Sequence, residues 1–196
     1  MIGVTLAKAP VYGTLAAFLG VILYWIKRVI WTPTRTYDQS ANSVGREYDA
    51  WTTEGILEYY WGEHIHLGYY NKTELEKGYL KKNFIQAKYD FIDRMLEFGQ
   101  IADPATSTKP VEVLDVGCGI GGTSRYIASK LNSASTVTGI TLSQEQVKRA
   151  TQLAKDRGIT NANFQVMDAL NMTFPDKSFD IVWACESGEH MPDKKK

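Results

Sequence analysis

The chain has 196 residues, room for one core domain and an accessory segment. Lys+Arg and Asp+Glu each number 22, so no global field favours nucleic acid or another polyanion, and the Lys194–Lys196 run reads as a solvated tail. The two cysteines, Cys118 and Cys185, lie in apolar runs without CxxC spacing, which argues against a disulfide framework and against a thiolate zinc site.

The first element is an uncharged run over 9–26, APVYGTLAAFLGVILYWI, bracketed by Lys8 and Lys27-Arg28. Its length reaches the lower bound for a bilayer span, about 17–25 residues. Tyr24, Trp25 and Trp31 sit near the basic end, where interfacial aromatics belong. The run ends in Tyr-Trp-Ile-Lys-Arg, without the small residues of a signal-peptide cleavage site. Residues 1–36 are therefore expected to form a membrane anchor and its flank, with the positive-inside tendency placing the remainder on the cytoplasmic-like face.

After Pro33 the composition turns polar, and TPTRTYDQSANS reads as a linker. Residues 37–108 are rich in aromatics at helical spacing. Phe84, Ile85, Tyr89, Ile92, Met95 and Leu96 recur at three and four residues and mark one helix face, with Gly99 as the stop. This segment is expected to be a helical cap on the substrate side.

From Val111 the rhythm changes. VEVLDVG, STVTGITL, NANFQVMDAL and SFDIVWACE read as strands, separated by the helical patterns GTSRYIASKL and SQEQVKRATQLAKDRG. Such alternation with a glycine-rich first turn predicts an α/β, Rossmann-like parallel sheet over 109–196, with helices on both faces.

The turn VLDVGCGIGGTS carries the chemistry. Its glycines let the backbone turn sharply and a ligand approach, and the following helix offers free N–H groups and a positive dipole end. Gly117, Gly119 and Gly122 also satisfy the dinucleotide pattern G-x-G-x-x-G. Two features favour another ligand. Asp115 precedes the first glycine by two residues, where a carboxylate suits a cationic amino-acid group and opposes a pyrophosphate. The second strand ends in Gly139-Ile140-Thr141, without the acid that usually binds an NAD ribose. A ligand with an amino-acid end and a ribose fits better, namely S-adenosyl-L-methionine.

LDVGCGIGG, TGITLSQEQ, MDAL and ESGEHMPDK together resemble the class I methyltransferases of the gamma-tocopherol methyltransferase type, and WGEHIHLGYY resembles that family's aromatic motif. The resemblance runs over about 48–196. It implies that Asp115, Gly117 and Gly119 hold the methionine end of the cofactor. Thr141, Leu142 and Gln146 would meet the ribose, and Asp168 and Ala169 the adenine edge. Bland readings stand beside these: Asp168 as a turn cap, and Ser143 as the N-cap of a helix that begins near Thr141 and Gln146.

The histidines raise a metal question. His64 and His66 alternate as on one face of a strand, but only Glu63 is beside them, too few ligands for zinc, and no metal is expected. The two Gly-Glu-His stretches have unrelated flanks and are not a repeat. Carbon methylation of a phenol, which the resemblance implies, benefits from removal of the phenol proton. Glu186, Glu189 and His190 follow the fourth strand, at the carboxyl end where ligands bind in open α/β sheets, and are the candidate catalytic groups. Tyr60, Trp61, His64 and Tyr69 are candidates for an aromatic wall around an apolar acceptor, or equally for plain packing. The expected partners are a small lipophilic substrate and a membrane, and a plastid setting follows from the resemblance alone.

The family's sheet continues after this fourth strand, and its K-P-G-G turn is absent here. Residues 1–196 by themselves are expected to show weak turnover or none.

Overall fold

The computed structural model describes residues 9–31, 38, 41–78, 81–99, 101 and 109–191. The Lys194–Lys196 tail and most of the 32–43 linker lie outside the described residues. The chain divides into two compact units, 1–37 and 38–196.

The first unit contains one helix, α1 (Ala9–Trp31). Leu15, Phe18, Leu19, Ile22 and Ile26 are all exposed on it. Among the described residues, no helix is long and apolar enough to cross a membrane, so the expected anchor is not met as a span. Gly13, Thr14 and Gly20 dilute the apolar run, and Lys27 and Arg28 close it.

The second unit opens with α2 (Ser43–Thr53), α3 (Ile56–Trp61), α4 (Lys72–Glu76) and α5 (Phe84–Phe98). Side-chain caps start three of them: Asn42 for α2, Asn71 in a reciprocal capping box with Glu74 for α4, and Asn83 for α5. The apolar stripe of α5 is buried at Ala87, Ile92 and Leu96, and Gly99 follows its last turn. These helices share one compact unit with the sheet and are not a separate cap. Arg149 on the sheet side makes a bidentate pair with Glu58 of α3 (2.6 and 2.8 Å). Ser143 donates to Asp49 of α2 at 2.5 Å.

The sheet follows the predicted order: β1 (Glu112–Val116), α6 (Gly122–Lys130), β2 (Thr136–Thr141), α7 (Gln144–Asp156), β3 (Ala162–Val166) and β4 (Ile181–Ala184). All pairings are parallel, and the spatial order is β3-β2-β1-β4. The chain thus winds outward from β1 to β3, then returns to the other side of β1. That reversal opens a crevice between the carboxyl ends of β1 and β4, where ligands bind in open α/β sheets.

Alternation along the strands separates two cores. Val113, Val137 and Trp183 pack with Ile92 and Leu96 of α5 and Ile127 and Ala128 of α6. Leu114, Val116 and Ile140 form the other face. There the expectation of helices on both faces is not met among the described residues. Met167, Ala169, Phe174 and Phe179 from the irregular segment after β3, and Met191, cover it instead. Ile92 is fully buried, and truncation of such a side chain to Ala costs about 2–5 kcal/mol.

Candidate active site

The crevice at the strand reversal is open to solvent. Its floor is the turn after β1, its far side the end of β4, and its near side the segment His64–Ile65–His66.

Asp115 lies in register between Gly139 of β2 and Trp183 of β4. It is 3% exposed, and its carboxylate accepts one short hydrogen bond, from Ser124 Oγ at 2.6 Å. Burial pushes its pKa up to about 6, and the Ser124 bond opposes this only in part. A cationic ligand group beside it would stabilise the ionised form. Gly117 follows at φ 79°, in the left-handed region, and an added Cβ would strike the Ser187 side chain. Gly119 is also left-handed, at φ 56°. The indole N–H of Trp183, in the crevice wall, and the hydroxyl of Ser187 are buried without a hydrogen-bond partner among the described residues. Orphaned polar groups of this kind await a ligand or ordered water.

At the end of β2, Thr141 Oγ donates to Gln146 Oε1 at 2.7 Å, both side chains buried. That bond engages the amide oxygen, and Gln146 Nε2 lies 4.0 Å from a Cβ built on Gly119. Ser143 is the N-cap of α7, accepting from Gln146 N at 3.1 Å. Leu142 O accepts from Asn42 Nδ2 at 3.2 Å. Asp168 caps its own turn, accepting from Leu170 N (2.9 Å) and Asn171 Nδ2 (2.7 Å). Ala169 packs against the Leu114–Val116–Ile140 cluster.

Residues 62–70 form an irregular strap, not the strand face that the His64–His66 alternation suggested. Both imidazoles are buried, at 3% and 4% exposure. Each has a ring nitrogen 3.5 Å from Thr123 Oγ at the start of α6. Burial holds the His64 pKa down at about 3, with the charges of His66, Lys88, Arg125 and Arg157 adding to it. His66 is lowered too, again mainly by burial. Both rings are therefore neutral near pH 7. Among the described residues, no group of three or more His, Cys, Asp or Glu is arranged to hold a metal.

The strap is fastened by residues that local sequence patterns did not single out. Lys88 of α5, 3% exposed, donates to the carbonyls of Trp61 (2.5 Å) and His64 (2.6 Å). Its burial lowers its pKa to about 8. Glu63 bridges Arg125 (2.5 Å) and Arg157. Gly122 admits the Glu63 carbonyl, where any Cβ would clash. The aromatic candidates fall outside the crevice lining: Tyr60 is 68% exposed, Trp61 stacks under Lys88, and Tyr69 lies under Arg94. Ile65, which no sequence signal marked, takes their place in the wall.

Beyond β4, Glu186 adopts φ 50° and accepts from Leu67 N at 2.9 Å. A 3-10 turn, Gly188–His190, follows. His190 Nε2 lies 3.0 Å from the hydroxyl of Tyr48 in α2. Glu186, Glu189 and His190 thus follow the carboxyl end of β4 but, like the aromatic candidates, fall outside the crevice lining, and Glu186 is already engaged by the strap.

Residues 113–196 match the methyltransferase domain family. Over 156 residues the chain is 50% identical to a 2-methyl-6-phytyl-1,4-hydroquinone methyltransferase of Synechocystis sp., covering 80% of this chain and 45% of the relative. It is 45% identical over 148 residues to the chloroplastic tocopherol O-methyltransferase of Arabidopsis thaliana, covering 74% and 41% respectively. The chain therefore spans less than half the length of these relatives. Among solved structures, the [4+2]-cyclase SpnF superposes with a TM-score of 0.59 at 31% identity, covering 73% of this chain and 48% of that one.

Proposed function

From a chain that belongs by sequence to the class I S-adenosylmethionine-dependent methyltransferases of the tocopherol type, we propose methylation of a lipophilic phenol, a chromanol or quinol, with S-adenosyl-L-methionine as the methyl donor. The observation that carries the proposal is the buried, incompletely paired carboxylate of Asp115 beside the Gly117–Gly119 turn.

When bound, that cofactor supplies an electrophilic methyl group on a sulfonium centre. Asp115 would hold its ammonium, and the Gly117–Gly119 turn admits its methionine end. Thr141, Leu142 and Gln146 would meet the ribose, and Asp168 and Ala169 the adenine edge. His64 and His66, neutral and buried, line the near side without adding charge, while Ile65 and Trp183 supply apolar wall beside them. Tyr60, Trp61 and Tyr69 would meet the acceptor outside the crevice proper, where the lipophilic tail emerges.

At the acceptor end, Glu186, Glu189 and His190 are the groups able to orient a phenolic hydroxyl and take its proton. Loss of that proton raises the electron density of the ring carbon to be methylated. Contact with a lipid phase through the exposed apolar side chains of α1, as surface contact rather than as a span, belongs to the same proposal. So does a plastid setting, by analogy with the chloroplastic relative.

A second reading is cofactor binding without methyl transfer, since the likeness to a cyclase shows that this fold serves other chemistry. Incubation with methyl-labelled cofactor and a panel of chromanols, quinols, sterols and amines separates the two. Label on a phenolic ring carbon is the expected result. Label only on oxygen or nitrogen would overturn the assignment, and bound cofactor with label on no acceptor would favour the second reading.

A further inference from the structure

The contact between Tyr48 and His190 joins α2 to the turn after β4 across 142 residues of sequence. The phenol oxygen and Nε2 are 3.0 Å apart, and the rings meet edge to face at 5.6 Å and 86°. Tyr48 is not a loose surface side chain. Its ring also meets Trp51 edge to face at 5.4 Å. Its neighbour Asp49 accepts from Ser143 Oγ (2.5 Å) and Glu145 N (3.0 Å), pinning α2 to the start of α7. One helix therefore holds the end of β2 and the turn after β4 in fixed relation.

We propose that Tyr48 is a positioning residue that fixes His190 as the Nδ1–H tautomer, so that the imidazole meets the acceptor as a hydrogen-bond donor and leaves Glu189 to take the proton. The direction of the bond decides this. A partly buried phenol must place its hydrogen somewhere, and His190 Nε2 is the partner of the Tyr48 hydroxyl among the described residues. Burial, and then the neighbouring Glu189 carboxylate, push the Tyr48 pKa up, so the phenol keeps its hydrogen. In the proposed arrangement the hydroxyl donates and Nε2 accepts, which puts the single proton of a neutral ring on Nδ1. A free imidazole in water favours the opposite form, so the arrangement leaves a signature. Of the two nearby carboxylates, Glu186 is committed to Leu67 N–H, whereas no hydrogen bond from the described residues engages Glu189. In the proposed step the phenolic O–H bond breaks, its proton passes to Glu189, and its electron pair stays on the acceptor.

The role toward the acceptor rests on the methyl-transfer reading, but the tautomer does not. The test is a two-bond 1H–15N correlation spectrum of the full chain labelled with 15N-histidine, at about pH 8, above the ordinary histidine range of about 6.5. His190→Gln assigns the resonance. The wild type should show an unprotonated Nε2 and a protonated Nδ1 at His190. Tyr48→Phe should move the ring to the Nε2–H form while the His64 and His66 signals stay in place. An Nε2–H ring in the wild type would overturn the proposal without any variant. An unchanged Nδ1–H ring in Tyr48→Phe would overturn the role of Tyr48. Failure of S-adenosylhomocysteine binding would instead strike the methyltransferase reading and leave the tautomer standing.

Discussion

Glu186 and Leu67, 119 residues apart, are joined by a 2.9 Å hydrogen bond from the Leu67 amide to the Glu186 carboxylate. The bond is made by a residue in the left-handed region, at φ 50°, a conformation that costs of order 1–3 kcal/mol for a side chain other than glycine. A position that keeps Glu there couples the strap to β4. Glu186→Ala should speed hydrogen exchange at the Leu67 amide by roughly tenfold, the worth of one charge-assisted bond of about 1.4 kcal/mol or more. Equal exchange rates in both chains would contradict the link.

Asp115 predicts a conflict between stability and binding. Its folded pKa of about 6 lies above the ordinary carboxylate value of 3.8, so the folded chain holds the proton more tightly than the unfolded chain. Stability from this group is full below about 3.8 and is lost as pH rises through about 6. At pH 7 the ionised carboxylate therefore costs about 3 kcal/mol, from two pH units at 1.36 kcal/mol each. Asp115→Asn keeps an acceptor for Ser124, and should raise the midpoint of thermal unfolding at pH 7 with little change at pH 4. A lower midpoint at pH 7 would refute the burial penalty.

His64 acts in the opposite sense. Its pKa falls from 6.5 to about 3 on folding, so its stabilising effect is complete above about 6.5 and is lost as pH falls toward 3. The loss approaches about 1.4 kcal/mol per pH unit. Between 6 and 3.8 it opposes the Asp115 contribution, so the two must be separated by substitution. Denaturant titrations over this window should give a flatter acid limb for His64→Gln than for the parent. An identical slope would show that His64 is not buried neutral.

Lys88 makes a third pH window. Its pKa is lowered from 10.5 to about 8, chiefly by burial, so the charged form is penalised below about 8 and the penalty fades between 8 and 10.5. Stability should rise with pH across that range and stay flat in Lys88→Met. Near pH 10, where that penalty has faded, the same variant leaves the carbonyls of Trp61 and His64 without their donor and should cost about 1–3 kcal/mol. Denaturant midpoints at pH 7 and pH 10 check both statements.

The sheet was legible because each strand is a short apolar run bounded by turn residues, and because the glycine turn after Val116 has one mechanical use. The α5 stripe was legible for the same periodic reason. The strap was not. The His64–His66 alternation imitates a strand, but the Trp61 and His64 carbonyls are taken by a lysine rather than by a neighbouring strand. That lysine left one signal, since Phe84, Lys88 and Ile92 share a helix stripe and a cation inside such a stripe needs buried partners. Tyr48 and Asp49 left none, because their partners lie 142 and 94 residues away. The apolar run of α1 misled in another way, since hydropathy marks a helix without marking what surrounds it.

The central claim is that the turn after β1 is built for a ligand with a cationic amino-acid end. Calorimetric titration of the full chain with S-adenosylhomocysteine, and separately with NAD, tests it most directly. The account predicts saturable binding of the first and none of the second, with affinity lowered at least about tenfold by Asp115→Ala, as expected for a lost charge-assisted bond. Binding of NAD alone, or an affinity for S-adenosylhomocysteine indifferent to Asp115→Ala, would contradict it.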